Sequence, residues 1–359
     1  INIAKRLFTI QDLSEIRKRK IGTGRIGGKA AGMLLAYRIL ENELDDDLKP
    51  LLAQPDYYFI GSNEQYSFIT MNSLERWNDQ KYKSEEQMRE DYPKIVDDFL
   101  KGNFQTDILE KLEELLHNIG KTPLIVRSSS LLEDSFGTSF AGKYDSFFLP
   151  NQDTPEENLT ALTQAIIRVW ASTLNPNALL YRRKKGLQDY DERMAILIMK
   201  VEGAPFGKYY LPDAAGVAFS RNLYRWTPQI RREDGFVRLV WGLGTRAVDR
   251  VGNDYPRLIA LSHPLLRPMP DFQTIERCSQ KYVDLIDREQ NTFTTLPVQE
   301  VLSSDYKPLK YIAQLSEEGY FSPLMSRLME KDRKRVVITF DEMLRKTNFA
   351  ASMRKILQK

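Results

Sequence analysis

The stretch Leu124–Leu149, LIVRSSSLLEDSFGTSFAGKYDSFFL, constrains this chain more than any other. It opens as an apolar run, Leu124–Val126, passes through Arg127 and the serines Ser128–Ser130, and turns around Gly137 and Gly142. It leaves as a second strand-like run, Tyr144–Leu149. Two apolar runs separated by a glycine-bearing polar segment predict a β-hairpin. Its turn is unusual in chemistry. Arginine offers a planar fork of N–H donors matched to phosphate oxygens. Serine hydroxyls and the backbone N–H groups of a glycine turn can line a concave anion site.

A hairpin of this kind needs a sheet and a core around it. At 359 residues the chain can bury a large core and form two or three compact units. Hydrophobic residues at 42% and charged residues at 28% are ordinary for a soluble protein. A net charge of +3 is too small to make nucleic acid the default partner. No apolar run approaches the roughly 20 residues that span a bilayer, so no membrane association is expected. One cysteine, Cys278, excludes an internal disulfide and fits a reducing cytoplasm. Two histidines, His117 and His263, are too few for a His-rich metal site or a His relay, and no metal ligand is assigned. The chain begins with Ile1, which reads as a processed fragment or excised domain.

The second stretch carrying chemistry is Ile21–Leu40, IGTGRIGGKAAGMLLAYRIL. Gly22, Gly24, Gly27 and Gly28 precede Lys29, and Met33, Leu34, Tyr37 and Leu40 then recur at helical spacing. A glycine loop feeding a helix N-terminus, with a lysine in the first turn, gathers N–H groups, a helix dipole and an ammonium near one anion. A flexible turn ahead of an amphipathic helix has the same letters. Gly22-Thr-Gly24-Arg-Ile-Gly27 fits GxGxxG, but Glu15–Lys20 is too charged for the buried strand a dinucleotide fingerprint requires. A P-loop fails as well, because Thr23 and Ala30 stand where glycine and Ser/Thr are needed.

Elsewhere the patterning alternates. Ile10–Lys20 reads as a capped segment ending in a solvated basic run, Arg17–Lys20. Asp56–Ile60 and Tyr66–Thr70 read as strands, and Ser84–Leu100 as a helix interrupted at Pro93. Thr106–Ile119 is an amphipathic helix closed by Gly120. Thr154-Pro-Glu-Glu157 opens a helix whose buried face carries Leu159, Leu162, Ile166, Val169 and Trp170. Asn175–Lys185 is a further helix, and Met194–Val201 is a buried strand. Ala214–Ser220 and Val237–Trp241 are strand candidates, the second followed by the turn Gly242-Leu-Gly244. This centre reads as one mixed sheet flanked by helices. Pro256–Pro270 reads as an irregular connection, Arg335–Phe340 as a strand and Asp341–Leu357 as one closing helix. The expectation is an α+β protein.

These motifs resemble, in order, those of the N-terminal nucleotide-binding domain of the phosphoenolpyruvate synthase and pyruvate phosphate dikinase family. Gly27-Gly28-Lys29-Ala30 resembles its GGK-A motif, and Val126–Ser130 with Glu133-Asp134 its VRSS…ED motif. Ser139–Ser146 resembles its SFAGQ loop. Val169–Ser172 and Tyr181-Arg182 match its W-S and YR elements, and Gly216–Asn222 with Trp241–Gly244 its GV-F and WGLGE elements. The likeness spans about residues 20–255. It implies an ATP-grasp-like fold, with ATP between two α/β lobes and sub-lobes near residues 1–122, 123–200 and 201–359. Residue by residue, it implies that Lys29 contacts ATP phosphates and that Arg127, beside Ser128, binds phosphate during transfer. It makes Ser139, Phe140, Ala141 and Gly142 the loop over the phosphates, and the strand and hinge holding Met199 and Val201 the adenine support. Two departures stand out: Met199-Lys200, where the family usually has Gln near position 199, and Thr245, where it tends to have Glu.

The resemblance further implies Mg²⁺ held by acidic residues in a D-x-E…Q-x-R-P segment that in relatives follows the helix matching Asp341–Leu357, here beyond Lys359. The family's phosphohistidine and pyruvate-binding domains are not in this sequence. The expected role is therefore the ATP-binding part of a larger ATP-dependent phosphotransferase. It would pass phosphate from ATP through a histidine on a neighbouring domain of the same protein to an acceptor such as pyruvate, and would be inactive alone. The other reading is a degenerate domain kept for nucleotide sensing or interaction.

Overall fold

Met194–Val201 is apolar at almost every position, and a strand with that pattern must be covered on both faces. In the computed structural model, which describes residues 2–132, 142–248, 254–324 and 330–359, it is the middle strand of a five-stranded sheet. The strands are β1 (Lys20–Ile21), β2 (Tyr57–Ile60), β3 (Leu124–Ser129), β4 (Ser146–Leu149) and β5 (Ala195–Lys200), in the order β1-β2-β5-β3-β4. β1 runs parallel to β2, and the other pairs are antiparallel. β3 and β4 form the expected hairpin, with Arg127 opposite Ser146.

Helices cover both faces. On one side Leu124, Val126, Ile196 and Ile198 pack with Ile95 and Phe99 of helix Glu85–Leu100, Leu112 of Thr106–Ile119, and Ile166 and Trp170 of Pro155–Ala171. Trp170 is fully buried, donates from Nε1 to the Met194 carbonyl at 3.1 Å, and packs tilted against Phe68 and Phe104. On the other side Phe59 and Leu197 meet Ala30 and Leu34 of helix Gly28–Glu43.

Helix Pro155–Ala171 starts as expected. Glu157 N–H donates to Thr154 Oγ1 at 3.3 Å, and the Glu157 carboxylate accepts from Thr154 N–H at 3.2 Å. Losing this reciprocal cap leaves orphan N–H groups at the helix start. Thr154→Ala is expected to cost about 1 kcal/mol in chemical unfolding. An unchanged midpoint would show that the cap carries no weight.

Four local expectations are corrected. Tyr66–Thr70 is helical, inside Ser62–Met71. Its β-branched and aromatic letters suggested a strand, but Gln65 is a buried polar anchor. It donates to Thr173 Oγ1 at 3.1 Å and accepts from Met194 N–H at 2.6 Å, so tertiary bonding overrides propensity. Pro93 does not interrupt helix Glu85–Leu100, because burial of Met88, Ile95 and Phe99 holds the helix on either side of it. Pro256–Pro270 is not irregular throughout, since Arg257–Ala260 pairs along a neighbouring strand. The closing segment is two helices, Asp341–Lys346 and Phe349–Leu357. Thr347 breaks it: its hydroxyl donates to the Met343 carbonyl at 2.7 Å and accepts from Phe349 N–H at 3.3 Å, a local alternative to the helix ladder.

The central strands also do not share one sheet. The described residues gather into two compact units, Ile1–Glu41 with Ala53–Val201, and Asn42–Leu52 with Glu202–Lys359. The ranges 1–122 and 123–200, read above as separate sub-lobes, contribute to the same sheet. The second unit holds β6 (Ala204–Phe206), β7 (Tyr209–Leu211), β8 (Ala215–Phe219), β9 (Phe236–Val240), β10 (Arg257–Ala260), β11 (Tyr282–Asp287), β12 (Thr292–Pro297), β13 (Ala313–Ser316), β14 (Phe321–Pro323) and β15 (Val336–Ile338). They form sheets in the orders β10-β9-β8, β12-β11-β7-β6 and β14-β13-β15, every pair antiparallel. Trp241 is its buried centre and donates to Tyr306 Oη at 3.1 Å, which donates in turn to Asp213 at 2.7 Å.

Candidate functional site

The glycine loop 22–28 lies within the first unit and rests on two supports. The first is the start of helix Ser62–Met71. Arg25 N–H donates to Ser62 Oγ at 3.1 Å, and Thr23 N–H donates to the buried Glu64 carboxylate at 2.7 Å. Gly61 must be glycine, because a Cβ there would come 1.8 Å from the Thr23 carbonyl oxygen. The second support is the end of β3. Gly28 N–H donates to the Ser130 carbonyl at 3.0 Å, and Ser129 Oγ donates to the Ile26 carbonyl at 2.8 Å while accepting from Ala30 N–H at 3.1 Å. The loop is thus seated on protein rather than loose.

This seating joins the two stretches that carry the chemistry. Lys29 lies in the first turn of helix Gly28–Glu43, and its Nζ donates to Ser128 Oγ at 3.0 Å. Those residues are 99 positions apart in sequence. Ser128, Ser129 and Ser130 are all buried. Arg127, half-buried, pairs across the sheet with Leu197, and its Nε is buried with no hydrogen-bond partner among the described residues. An unsatisfied buried donor is costly unless a bound group accepts from it.

Met199 pairs with Ile125, two positions before Arg127 on β3, so Met199 and Arg127 project from the same face of the sheet. Four residue steps separate the Met199 level from Ser129, or roughly 13 Å along the strands. That face is the one covered by helix Gly28–Glu43, where Met199 packs beside Met33 and Ile26. Val201 is buried just past β5, its N–H donating to the Pro123 carbonyl at 2.9 Å. Of the expected phosphate-covering residues, Ser139, Phe140 and Ala141 lie outside the described residues. Gly142 has φ +69° with open space where a Cβ would stand.

Asp145, between the covering loop and β4, is a titrating group of the hairpin that burial moves. Desolvation pushes its carboxyl above the ordinary aspartate range. The folded state therefore holds that proton more tightly than the unfolded chain. Stability rises as pH falls through the raised folded value and levels off below the ordinary one. Asp145→Asn removes the titration. It should be more stable than the parent at pH 7, with the gap closing towards pH 4, as read from urea midpoints. A variant no more stable at pH 7 contradicts the assignment.

The sequence singled out Lys29, Arg127 and Ser128 as candidates but not Ser62 and Glu64, nor the part Ser129 takes in holding the loop. The only available signal was the cap-type run Ser62-Asn-Glu64 after Gly61, hidden by the strand reading of the residues that follow. In the second unit, the departure at Thr245 also has a partner. Its hydroxyl donates to Asp284 at 2.5 Å, and Asp284 also accepts from Arg246 at 3.0 Å and Thr295 at 2.6 Å. Among the described residues no cluster of three or more His, Cys, Asp or Glu side chains is placed to hold a metal ion. No described helix is long and apolar enough to cross a membrane.

Comparison of the sequence with known proteins finds a family and several partial relatives. Residues 23–326 match the family model described as pyruvate phosphate dikinase, AMP/ATP-binding domain. The chain is 33% identical over 100 residues to a rifampicin phosphotransferase of Streptomyces sviceus, covering 28% of this chain and 10% of that one. It is 26% identical over 173 residues to the uncharacterized phosphotransferase YvkC of Bacillus subtilis, covering 48% and 17%. It is 28% identical over 148 residues to a probable phosphoenolpyruvate synthase of Methanothermobacter thermautotrophicus, covering 41% and 19%. Each match spans under a fifth of the relative's own length.

Proposed function

The chain belongs to the pyruvate phosphate dikinase AMP/ATP-binding family, an ATP-grasp-like α+β domain, and from that premise we propose that Lys29, Arg127 and the seated glycine loop hold the phosphates of ATP for transfer. The observation that carries this reading is the 3.0 Å bond from Lys29 Nζ to Ser128 Oγ. It brings the ammonium, the serine hydroxyls and the start of a helix to one place.

ATP supplies the phosphoryl group. Phosphoryl transfer asks the protein mainly for positioning and for positive charge against the spreading negative charge. Lys29 provides a compact charge, and Arg127 a fork whose Nε has no partner among the described residues. The N–H groups at the start of helix Gly28–Glu43 add a dipole of the right sign. Gly142, with Ser139, Phe140 and Ala141, covers the phosphates in this proposal. Met199, on the same sheet face as Arg127, with Val201, supports the base through packing and backbone groups. Magnesium would travel with the nucleotide. The described residues offer no carboxylate set for it, and no step is assigned to it. The wider role we propose is in the cytoplasm: relay through a phosphohistidine domain of the same protein to an acceptor such as pyruvate.

A second reading, a domain kept for nucleotide sensing, draws on one observation. Thr245, at the end of the WGLG turn where relatives tend to carry Glu, is committed to Asp284. Calorimetry with ATP and magnesium tests both readings, on this chain and on a longer protein that contains it. Binding together with transfer in the longer protein supports the phosphotransferase reading. Binding without transfer there supports sensing, and no binding in either removes both.

A further inference from the structure

The second unit contains a cavity of about 510 Å³ that the nucleotide proposal does not use. Its walls are apolar over much of their extent, with Leu239, Ile275, Ile338 and Phe340 among them. Two guanidinium groups also line it, the buried Arg257 and the half-buried Arg267. Arg257, on β10, is 7% exposed and donates to the Leu258 carbonyl at 2.9 Å and the Pro264 carbonyl at 3.0 Å. Arg267 donates to the Thr339 carbonyl at 3.3 Å.

Both guanidiniums turn to the same atom, Asp341 Oδ1, at 3.2 Å from Arg257 and 2.8 Å from Arg267. No other carboxylate bonds either of them among the described residues. Two cations share one anion, so this part of the wall carries a net positive charge. Arginine does not relieve such a charge by losing its proton at neutral pH. Burial, and then the neighbouring charge of Arg267, hold the Arg257 group below its ordinary value. Arg257 Nε is also buried without a hydrogen-bond partner among the described residues. A buried charge left uncompensated is expensive, and so is a buried donor left unused. One acceptor anion in the cavity would offset both costs.

We propose that this cavity is a binding site for a small organic monocarboxylate with an apolar body, its carboxylate on Arg257 and Arg267 and its body against the apolar wall. One unmatched positive charge calls for a monoanion. The apolar lining disfavours a strongly hydrated ion such as free phosphate, which would leave that wall unfilled. Exposed Arg277 at the rim adds a charge that draws anions towards the entrance.

The cavity carries its own reporter. Cys278, the only cysteine of the sequence, is partly exposed and lines it. The experiment follows the rate at which N-ethylmaleimide modifies Cys278 in the full chain without nucleotide, by mass spectrometry, with phenylacetate as the probe. The rate should fall saturably, by about tenfold at ten times the probe's dissociation constant. Benzyl alcohol and inorganic phosphate at the same concentration should leave it unchanged. Arg257→Gln should abolish the protection, since Arg267 and Asp341 then form a balanced pair. If that variant does not fold, Arg267→Gln replaces it with the same expectation. No slowing by phenylacetate up to its solubility overturns the proposal. So does equal protection by benzyl alcohol, which would mean an apolar pocket only, or by phosphate, which would mean an ion site only. The readout does not depend on ATP, so its failure is separate from any failure of the phosphate site.

Discussion

Arg127→Ala should lower ATP-dependent phosphoryl transfer in a longer protein containing this chain by about 10²–10³-fold, the range seen when one preorganised donor to a developing charge is removed. The fold should survive. Arg127 is half-buried on β3, and its Nε has no partner among the described residues, so truncation leaves no protein acceptor newly stranded at that atom. A guanidinium with a structural task would show the opposite pattern, loss of stability first and activity only in consequence. Lys29→Met keeps the aliphatic stem and removes the charge. It should weaken ATP binding by about 10–100-fold, the range for one hydrogen bond to a charged group. The conservative exchange separates charge from geometry. Arg127→Lys retains a cation but not the planar fork, and should recover only part of the rate. Calorimetry gives affinity, and single-turnover transfer gives rate. Unchanged affinity and rate in both alanine and methionine variants, with unchanged unfolding midpoints, would remove these residues from the site.

Gly27→Ala should be the most damaging glycine-to-alanine change among the described residues. Gly27 has φ +80°, and an added Cβ would lie 1.6 Å from the Ser129 carbonyl oxygen and 2.5 Å from Ser129 Oγ. The nearest obstacle is backbone of a sheet strand, which cannot swing aside as a flexible side chain can. Relief requires lifting the loop off β3. That motion breaks the Gly28 bond to Ser130 and the Ser129 bonds to Ile26 and Ala30. Left-handed strain costs roughly 1–2 kcal/mol, and each lost bond about 1 kcal/mol more. A total near 3–5 kcal/mol is expected. ATP affinity should fall with it, because Lys29 moves with the loop. Gly32→Ala supplies the control. Gly32 lies in the interior of helix Gly28–Glu43 with nothing within 4 Å of an added Cβ. There the same methyl group should stabilise by about 0.5–1 kcal/mol. Chemical unfolding of both variants beside the parent decides the matter, and a Gly27→Ala change under 0.5 kcal/mol would sink the argument.

The contrast between those glycines shows where sequence reasoning reaches its limit. Both precede or sit inside the same helix, and the letters around them do not say which one touches a neighbouring strand. Thr154, Pro155 and Glu157 were readable because a helix cap is a contact among residues three positions apart. The continuous apolar run of β5 was readable because burial on both faces leaves no polar positions. Tyr66–Thr70 was not, since what makes it helical is Gln65 bonding Thr173 and Met194, more than 100 positions away. Much of the second unit went unread for the same reason. β11 and β12 pair residue for residue, yet Thr292–Pro297 carries too few apolar letters to declare itself. The Thr347 break is invisible when Asp341–Leu357 is scanned only for apolar spacing.

Local chemistry in the sequence was enough to determine the α+β class, the loop-to-helix junction before Lys29 and the hairpin with Arg127, and it is the ground of the anion-site proposal for both stretches. These rest on glycine conformation, side-chain period and charge, all of which act over a few residues. Tertiary structure decided the rest. It put Lys29 beside Ser128 across 99 positions, seated the glycine loop on Ser62, Glu64 and Ser129, and set Met199 on the Arg127 face. It also left a buried arginine and a half-buried one in the second unit sharing one aspartate. Each of these depends on strand order and register, which are chosen by burying the whole core at once and are therefore not written in any short stretch of chain.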